Sequence, residues 1–259
     1  MRSPQRLPEL DAAADGPLSL LRSGTLEIVG RLTEASNVTL FCELRPADTT
    51  AAVGTTTADA GPANCVYKPI RGERPLDDFP IGTLANREVA AYEVSQETGW
   101  RIVPPTVLRD GPLGPGMVQA WIEVDEAANI VELILTRDPR LRRMALFDAI
   151  VNNADRKGGH VLPTDEGHLH GCDHGVCFAV EPKLRTVLWG WRGEPLTEEE
   201  LFCLASLRRS MDGDLGRRLA DLLHVSEVAA TERRVDRLLT ERRMPMPDPH
   251  RPAIPWPPF

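Results

Sequence analysis

Two aspartates, Asp155 and Asp173, each lie in a short polar motif: Asn152-Asn153-Ala154-Asp155-Arg156-Lys157-Gly158-Gly159-His160 and Gly171-Cys172-Asp173-His174-Gly175. Between them, Val161-Leu162-Pro163 followed by Asp165-Glu166-Gly167 signals a β-hairpin. Phosphoryl transfer asks a protein for little covalent chemistry. It needs a carboxylate to orient the acceptor, metal ligands for the phosphates and a fixed cation on the nucleotide. Two acids bracketing a hairpin fit the first two needs. Lys68 fits the third, because it lies in the apolar run Cys65-Val66-Tyr67-Lys68, where an ammonium is costly unless paired. Glu88, on a helix placed directly after that run, is its natural partner, with Glu93 the less favoured substitute.

The elements that must hold these residues follow from local patterning. Residues 1–23 read as a flexible leader. Leu26–Leu32 and Val38–Leu44 form a hairpin turning at Thr33–Asn37, and the Thr-, Ala- and Gly-rich stretch Ala47–Asn64 reads as a variable loop before the Lys68 strand. Thr83 is placed to cap a helix through Glu88, Tyr92 and Val94 that Gly99 ends. Strands are expected at Val103–Leu108 and Gly116–Ile122. A buried helix over Pro139–Asn153 then delivers Asp155 at its end. Later helices are expected at Thr197–Met211, opened by a Thr197-Glu198-Glu199-Glu200 capping box, at Leu215–His224 and at Ser226–Arg243. Residues 244–259 form a proline-rich tail that cannot be helical.

At 259 residues with 42% hydrophobic content, the chain supports a substantial core. A formal net charge of -8 argues against general binding to nucleic acid or anionic lipid. No long apolar run suggests membrane insertion. Five cysteines without C-x-x-C spacing fit reduced thiols and a cytoplasmic setting. Only three of the 30 basic residues are lysines, Lys68, Lys157 and Lys183. A bias toward GC-rich codons accounts for the arginines and leaves those three to be explained.

The segments Val66-Tyr67-Lys68-Pro69, Arg87 to Val94, Val103-Pro104-Pro105-Thr106, Val118 to Glu123, Asn153-Ala154-Asp155-Arg156 and Cys172-Asp173-His174-Gly175 occur in one order over roughly Gly24 to Trp191. In that order they resemble the phosphatidylinositol 3-/4-kinase family, nearest in style to type II phosphatidylinositol 4-kinases and HipA-type kinases of an actinobacterial kind. The resemblance implies an α+β, protein-kinase-like two-lobed fold: a β-rich N-lobe over 24–116, a hinge over 117–124 and a helical C-lobe over 125–243. It implies ATP with Mg2+ or Mn2+ as cofactors and a hydroxyl acceptor: lipid headgroup, protein Ser/Thr or small metabolite. Ser36, Asn37 and Thr39 would line the phosphate-covering turn, Lys68 would bind phosphate with Glu88 behind it, and the hinge at Gln119, Trp121 and Ile122 would meet adenine. Asp155 would be the catalytic carboxylate accompanied by Arg156, and Asp173 the main metal ligand. The family has an asparagine five positions after the catalytic aspartate, and this chain has His160. Imidazole is a poorer ligand for magnesium than an oxygen donor, so His160 points to manganese preference, weak activity or a nucleotide-binding pseudokinase.

A different chemistry competes for the same stretch. His160, His168, His170, Cys172, His174 and Cys177 crowd together, and alternation puts His168, His170, Cys172 and His174 on one strand face, where zinc would be at home. No established zinc spacing is matched, and a zinc scaffold remains the third alternative.

Overall fold

A computed structural model describes residues 16–33, 36–46 and 63–259. Residues 1–15, Glu34 and Ala35, and most of the expected variable loop (47–62) lie outside the described residues. The chain divides into two compact units, one made of the described residues through Ala85 together with Pro105–Trp121, the other of Asn86–Pro104 and Ile122–Phe259.

The first unit is built on helix α1 (Gly16–Ser23) and strands β1 (Thr25–Arg31), β2 (Leu40–Arg45), β3 (Ala63–Pro69), β4 (Thr106–Gly111) and β5 (Gly114–Ala120). The strands form one antiparallel sheet in the order β1-β2-β3-β5-β4. Alternation sorts its faces. Leu40, Cys42 and Leu44 of β2 meet Tyr67, Cys65 and Ala63 of β3 across the ladder, and Val118 and Ala120 continue the row on β5. With Leu21, Leu26 and Val107 they form this unit's core. The opposite face carries Phe41, Val66, Lys68, Met117 and Gln119. The expected leader is thus shorter than 1–23. Gly16–Ser23 is helical, Leu21 is buried in the core, and the Arg109 guanidinium holds the carbonyls of Leu21 and Gly24 at 3.0 and 2.8 Å.

Helix α2 (Leu84–Glu97) begins in the first unit and runs into the second. Ahead of its first turn the Thr83 hydroxyl donates to the carbonyl of Pro80. Glu73 serves the helix start from upstream, its carboxylate accepting the N–H groups of Leu84 and Ala85 at 3.2 and 2.9 Å. Gly99, at φ +68°, follows its end as expected.

The second unit continues with α3 (Ile130–Leu135), α4 (Pro139–Val151), the two-stranded β6 (Val161–Pro163) and β7 (Leu169–Gly171), and helices α5 (Glu198–Met211), α6 (Asp214–Leu222) and α7 (Val225–Glu241). α4 starts at a strong signal, Asp138 capping with Pro139 at the first position, and every residue from Met144 to Val151 is buried. The capping box at Thr197 and Glu200 opens α5 as expected, whereas α7 is opened by His224 rather than at Ser226. Arg87 of α2 is buried and ion-paired with Glu227 of α7. Residues 244–259 are non-helical and belong to this unit. Among the described residues no helix is long and apolar enough to cross a membrane. One sheet-based and one helical unit make a mixed α+β fold.

Candidate active site

α4 delivers Asp155 through a turn that side chains hold at both ends. Asn152 closes the helix in the left-handed region (φ 53°), and its amide donates to the carbonyls of Ala179 and Glu181 at 2.9 and 2.7 Å. Asn153 points back, donating to Asp148 at 3.0 Å, while its own carbonyl oxygen accepts the N–H of Asp155 at 3.0 Å. The Asp155 carboxylate is left partly exposed, with the Lys157 ammonium 3.2 Å away.

Asp148 is the hub acid, and sequence reasoning missed it. It is wholly buried within α4 and accepts from Asn153, from Thr186 and from the guanidinium of Arg156 at 2.9 Å. The signal was a single acid inside the apolar run Met144-Ala145-Leu146-Phe147-Asp148-Ala149-Ile150-Val151; a buried acid requires a partner.

Arg156 is 0% exposed, which corrects its assignment as a catalytic residue, since it has no surface with which to touch a substrate. Its three nitrogens are spent on Asp148, on the carbonyls of His160 and Cys172 at 3.2 and 3.0 Å, and on Nε2 of His174 at 2.6 Å. Burial works against its charge, and Asp148 more than offsets this, so its pKa is raised. Because the guanidinium only donates, His174 Nε2 is the acceptor and the ring proton resides on Nδ1. Arg156 is a positioning residue. It joins the turn carrying Asp155, the start of β6 and the loop carrying Asp173.

Asp173 follows β7 in the left-handed region (φ 60°), and its side chain is 49% exposed. The next residue secures it: the N–H of His174 donates to the carboxylate of the buried Glu88 at 2.8 Å, and the His174 ring packs edge-on to Phe147. Glu88 therefore anchors the backbone of the Asp173 loop, a contact that sequence order did not suggest. His160 reaches the same carboxylate, its Nε2 lying 3.5 Å from Asp173 Oδ2, while its Nδ1 accepts the N–H of Lys157 at 3.4 Å. Burial lowers the pKa of His160 against the opposing pull of Asp173. With Nδ1 accepting, the proton sits on Nε2 and faces Asp173, so in this tautomer the ring steadies Asp173 and has no lone pair to offer a cation.

The structure thus gathers Asp155, Arg156, His160, Asp173 and Glu88 in the second unit. The other expected residues, apart from Ile122, belong to the first. Lys68 is half-buried in β3, on the face away from that unit's core, in register with Met117. Asn37 and Thr39 do structural work in the first unit. Asn37 accepts the N–H of Arg74 at 2.8 Å, and Thr39 is buried with its hydroxyl turned to the Asn37 carbonyl. Ser36 is exposed. Gln119 lies in register between Val66 and Thr106 with its side-chain amide bonded to Thr106 at 2.8 Å, so it is a sheet residue rather than a hinge contact. Trp121 stacks edge-on against Phe41 at 4.9 Å, and its N–H donates to the carbonyl of Asn64. Among the described residues no backbone group takes up the N–H or C=O of Ile122, with which the second unit resumes.

Of the crowded histidines, His168 and His170 stay paired, their rings 4.4 Å apart. His168 and His170 turn to the carbonyls of Arg101 and Ile102, and Cys177 is fully buried, its thiol pKa pushed well up by that burial. Among the described residues no three or more His, Cys, Asp or Glu side chains converge as a metal-holding group, so the zinc alternative has no ligand set there.

No protein-family model matches the chain, so the narrower likeness to phosphatidylinositol 3-/4-kinases has none behind it. Protein Rv2133c of Mycobacterium tuberculosis is 41% identical to it, over 95% of this chain and 96% of that one. Among solved structures, the Helicobacter pylori proinflammatory kinase CtkA superposes with a TM-score of 0.49 at 11% identity, covering 86% of this chain and 94% of that chain.

Proposed function

We propose that this chain, which belongs to the same family as protein Rv2133c of Mycobacterium tuberculosis, is an ATP- and metal-dependent phosphotransferase with a hydroxyl acceptor, of the phosphatidylinositol 3-/4-kinase-like kind. One observation carries the reading: a buried Asp148–Arg156–His174 network ties the turn bearing Asp155 to the loop bearing Asp173. Two solvent-reaching acids on separate loops, locked to one fully buried guanidinium, are what phosphoryl transfer by positioning requires.

In this reading Asp155 orients the acceptor hydroxyl and receives its proton as transfer proceeds, with Lys157 beside it to balance charge. Asp173 is the oxygen ligand for the cation. Magnesium is commonly held by one or two carboxylates, with waters and nucleotide phosphates completing its shell, and the half-exposed Asp173 carboxylate fits that pattern. The ion, when bound, neutralises charge on the phosphates. His160 holds the Asp173 carboxylate, Glu88 holds its loop, and Lys68 is assigned to the nucleotide phosphates by its place in the sequence order. The Ile122 peptide is offered to adenine. The cytoplasmic setting and the absence of nucleic-acid partners belong to the same proposal.

Asp155→Asn should lower phosphate transfer about 10²–10⁴-fold while ATP binding persists. Asp173→Asn should weaken metal-dependent ATP binding itself, and Lys68→Met should weaken ATP binding with or without metal. Titration calorimetry and transfer of labelled γ-phosphate, each with magnesium and with manganese, read these outcomes. Unchanged binding and transfer in both Asp173→Asn and Lys68→Met would sink the assignment. The tautomer of His160 favours a second reading, a nucleotide-binding pseudokinase, for which ATP binds and no acceptor, the protein itself included, becomes labelled.

A further inference from the structure

The segment 244–259 folds back over the second unit and touches the site at two places. The carbonyl of Ala253 accepts the N–H of Thr186 at 3.0 Å and the indole N–H of Trp189 at 2.8 Å, and Thr186 is itself bonded to Asp148. Five residues on, the carbonyl of Pro258 accepts the N–H of Gly158 at 2.8 Å. Gly158 lies between Asp155 and His160 and is buried. A β-carbon on it would come within 2.1 and 2.2 Å of Cδ1 and Cε1 of Phe259. Its φ is not in the left-handed region, so backbone conformation does not demand glycine there. The Phe259 ring, itself 55% exposed, occupies the space a side chain would need.

We propose that residues 253–259 are a positioning strap for the Asp155–His160 turn, with the Pro258 carbonyl and the Phe259 ring as its clasp. The consequence for turnover rests on the phosphotransferase reading; the docking itself does not. A buried amide needs a partner, and the strap brings one to Gly158 from a distant part of the chain. Lys157, which pairs with Asp155, and His160, which steadies Asp173, flank Gly158, so both acids are held through the residue the strap grips. The strap itself is lightly held. Ile254 and Trp256 are exposed, Trp256 at 88%, so lifting it takes far less than global unfolding. Once lifted, Gly158 hydrates and the turn loosens. Displacements of about 1 Å suffice to cost phosphoryl transfer up to about a hundredfold.

The test uses the full chain carrying Phe259→Ala, Phe259→Tyr, Gly158→Ala and the Gly158→Ala/Phe259→Ala pair, beside a chain shortened after Arg251. Phe259→Ala and the shortened chain should raise amide exchange in the 155–160 peptide about tenfold or more. They should lower phosphate turnover about tenfold while affinity for magnesium-ATP changes less than about threefold. Phe259→Tyr should keep exchange slow. Gly158→Ala should reproduce Phe259→Ala because its methyl expels the ring, and the pair should be no worse than Gly158→Ala alone. Unchanged exchange in Phe259→Ala and in the shortened chain overturns the strap, and a rise in turnover overturns its supporting role in favour of occlusion. If the unaltered chain transfers no phosphate at all, the phosphotransferase reading fails on that result, and the exchange measurements still decide the strap.

Discussion

The turn between β1 and β2 was expected to cover the phosphates and the turn after α4 to carry the catalytic carboxylate, and they are built by different means. Around the first, order comes from single neutral hydrogen bonds: Asn37 on the Arg74 amide, Val38 N–H on the Gly72 carbonyl, Leu32 N–H on the Thr39 carbonyl. Around the second, it comes from a buried charge pair whose every lone pair and proton is matched. The difference teaches where this chain tolerates change. Near the surface, water takes the place of a neutral hydrogen bond that breaks. A buried guanidinium or carboxylate deprived of its partner finds no such substitute.

The sharpest way to break the contrast is Arg156→Met. It strands the Asp148 carboxylate in the interior and should cost about 3–5 kcal/mol, read as a lower urea midpoint. Adding Asp148→Leu should restore part of the loss, since removing both charges leaves neither unmatched. If Arg156→Met costs no more than an average surface change, the hub does not hold the site. Next in size is a pH effect on the hairpin leading to Asp173. Burial, reinforced by His168, lowers the pKa of His170 to about 4, against about 6.5 in an unfolded chain. The unfolded chain takes up this proton first as pH falls. Stability is therefore full above about pH 6.5 and declines toward pH 4, by up to about 3 kcal/mol. Denaturation at stepped pH checks it, and His170→Gln should flatten that part of the profile.

Glu88→Ala should cost about 2 kcal/mol by removing the charge-assisted bond to the His174 amide, and it should speed amide exchange around Asp173. Smallest is Asn37→Ala, at about 1 kcal/mol, with ATP binding unchanged if the turn has no hand in phosphate binding. A large drop in ATP affinity in Asn37→Ala would place that residue at the site and close the contrast from the other side.

Much of this was legible because it is periodic. The β2, β3 and β5 alternation, the apolar run of α4 and the Thr197 capping box each announce an element in the local sequence. Asp155 and Asp173 were legible for another reason, since each sits in a polar island beside a strong helix or strand. Asp148 was not read, because the apolar run marks it as buried without saying that its partner is a guanidinium eight residues later. Nor was the role of Arg156, whose position beside Asp155 suggested chemistry while its burial makes it a support. The grip of Glu88 on the His174 amide joins residues 86 positions apart, and Glu73 caps α2 from 11 residues upstream. Side chains that bond to a distant main chain leave no spacing to read.

The hub at Arg156 also bears on how long the native state lasts. Its partners come from positions 148, 160, 172 and 174, so it is complete only after α4, the β6–β7 hairpin and the Asp173 loop have all come together. Interactions that need several loop closures form late, on the native side of the folding barrier. Arg156 should therefore leave the refolding rate nearly untouched and act as a brake on unfolding, so that its substitution shortens the lifetime of the folded chain rather than delaying its birth.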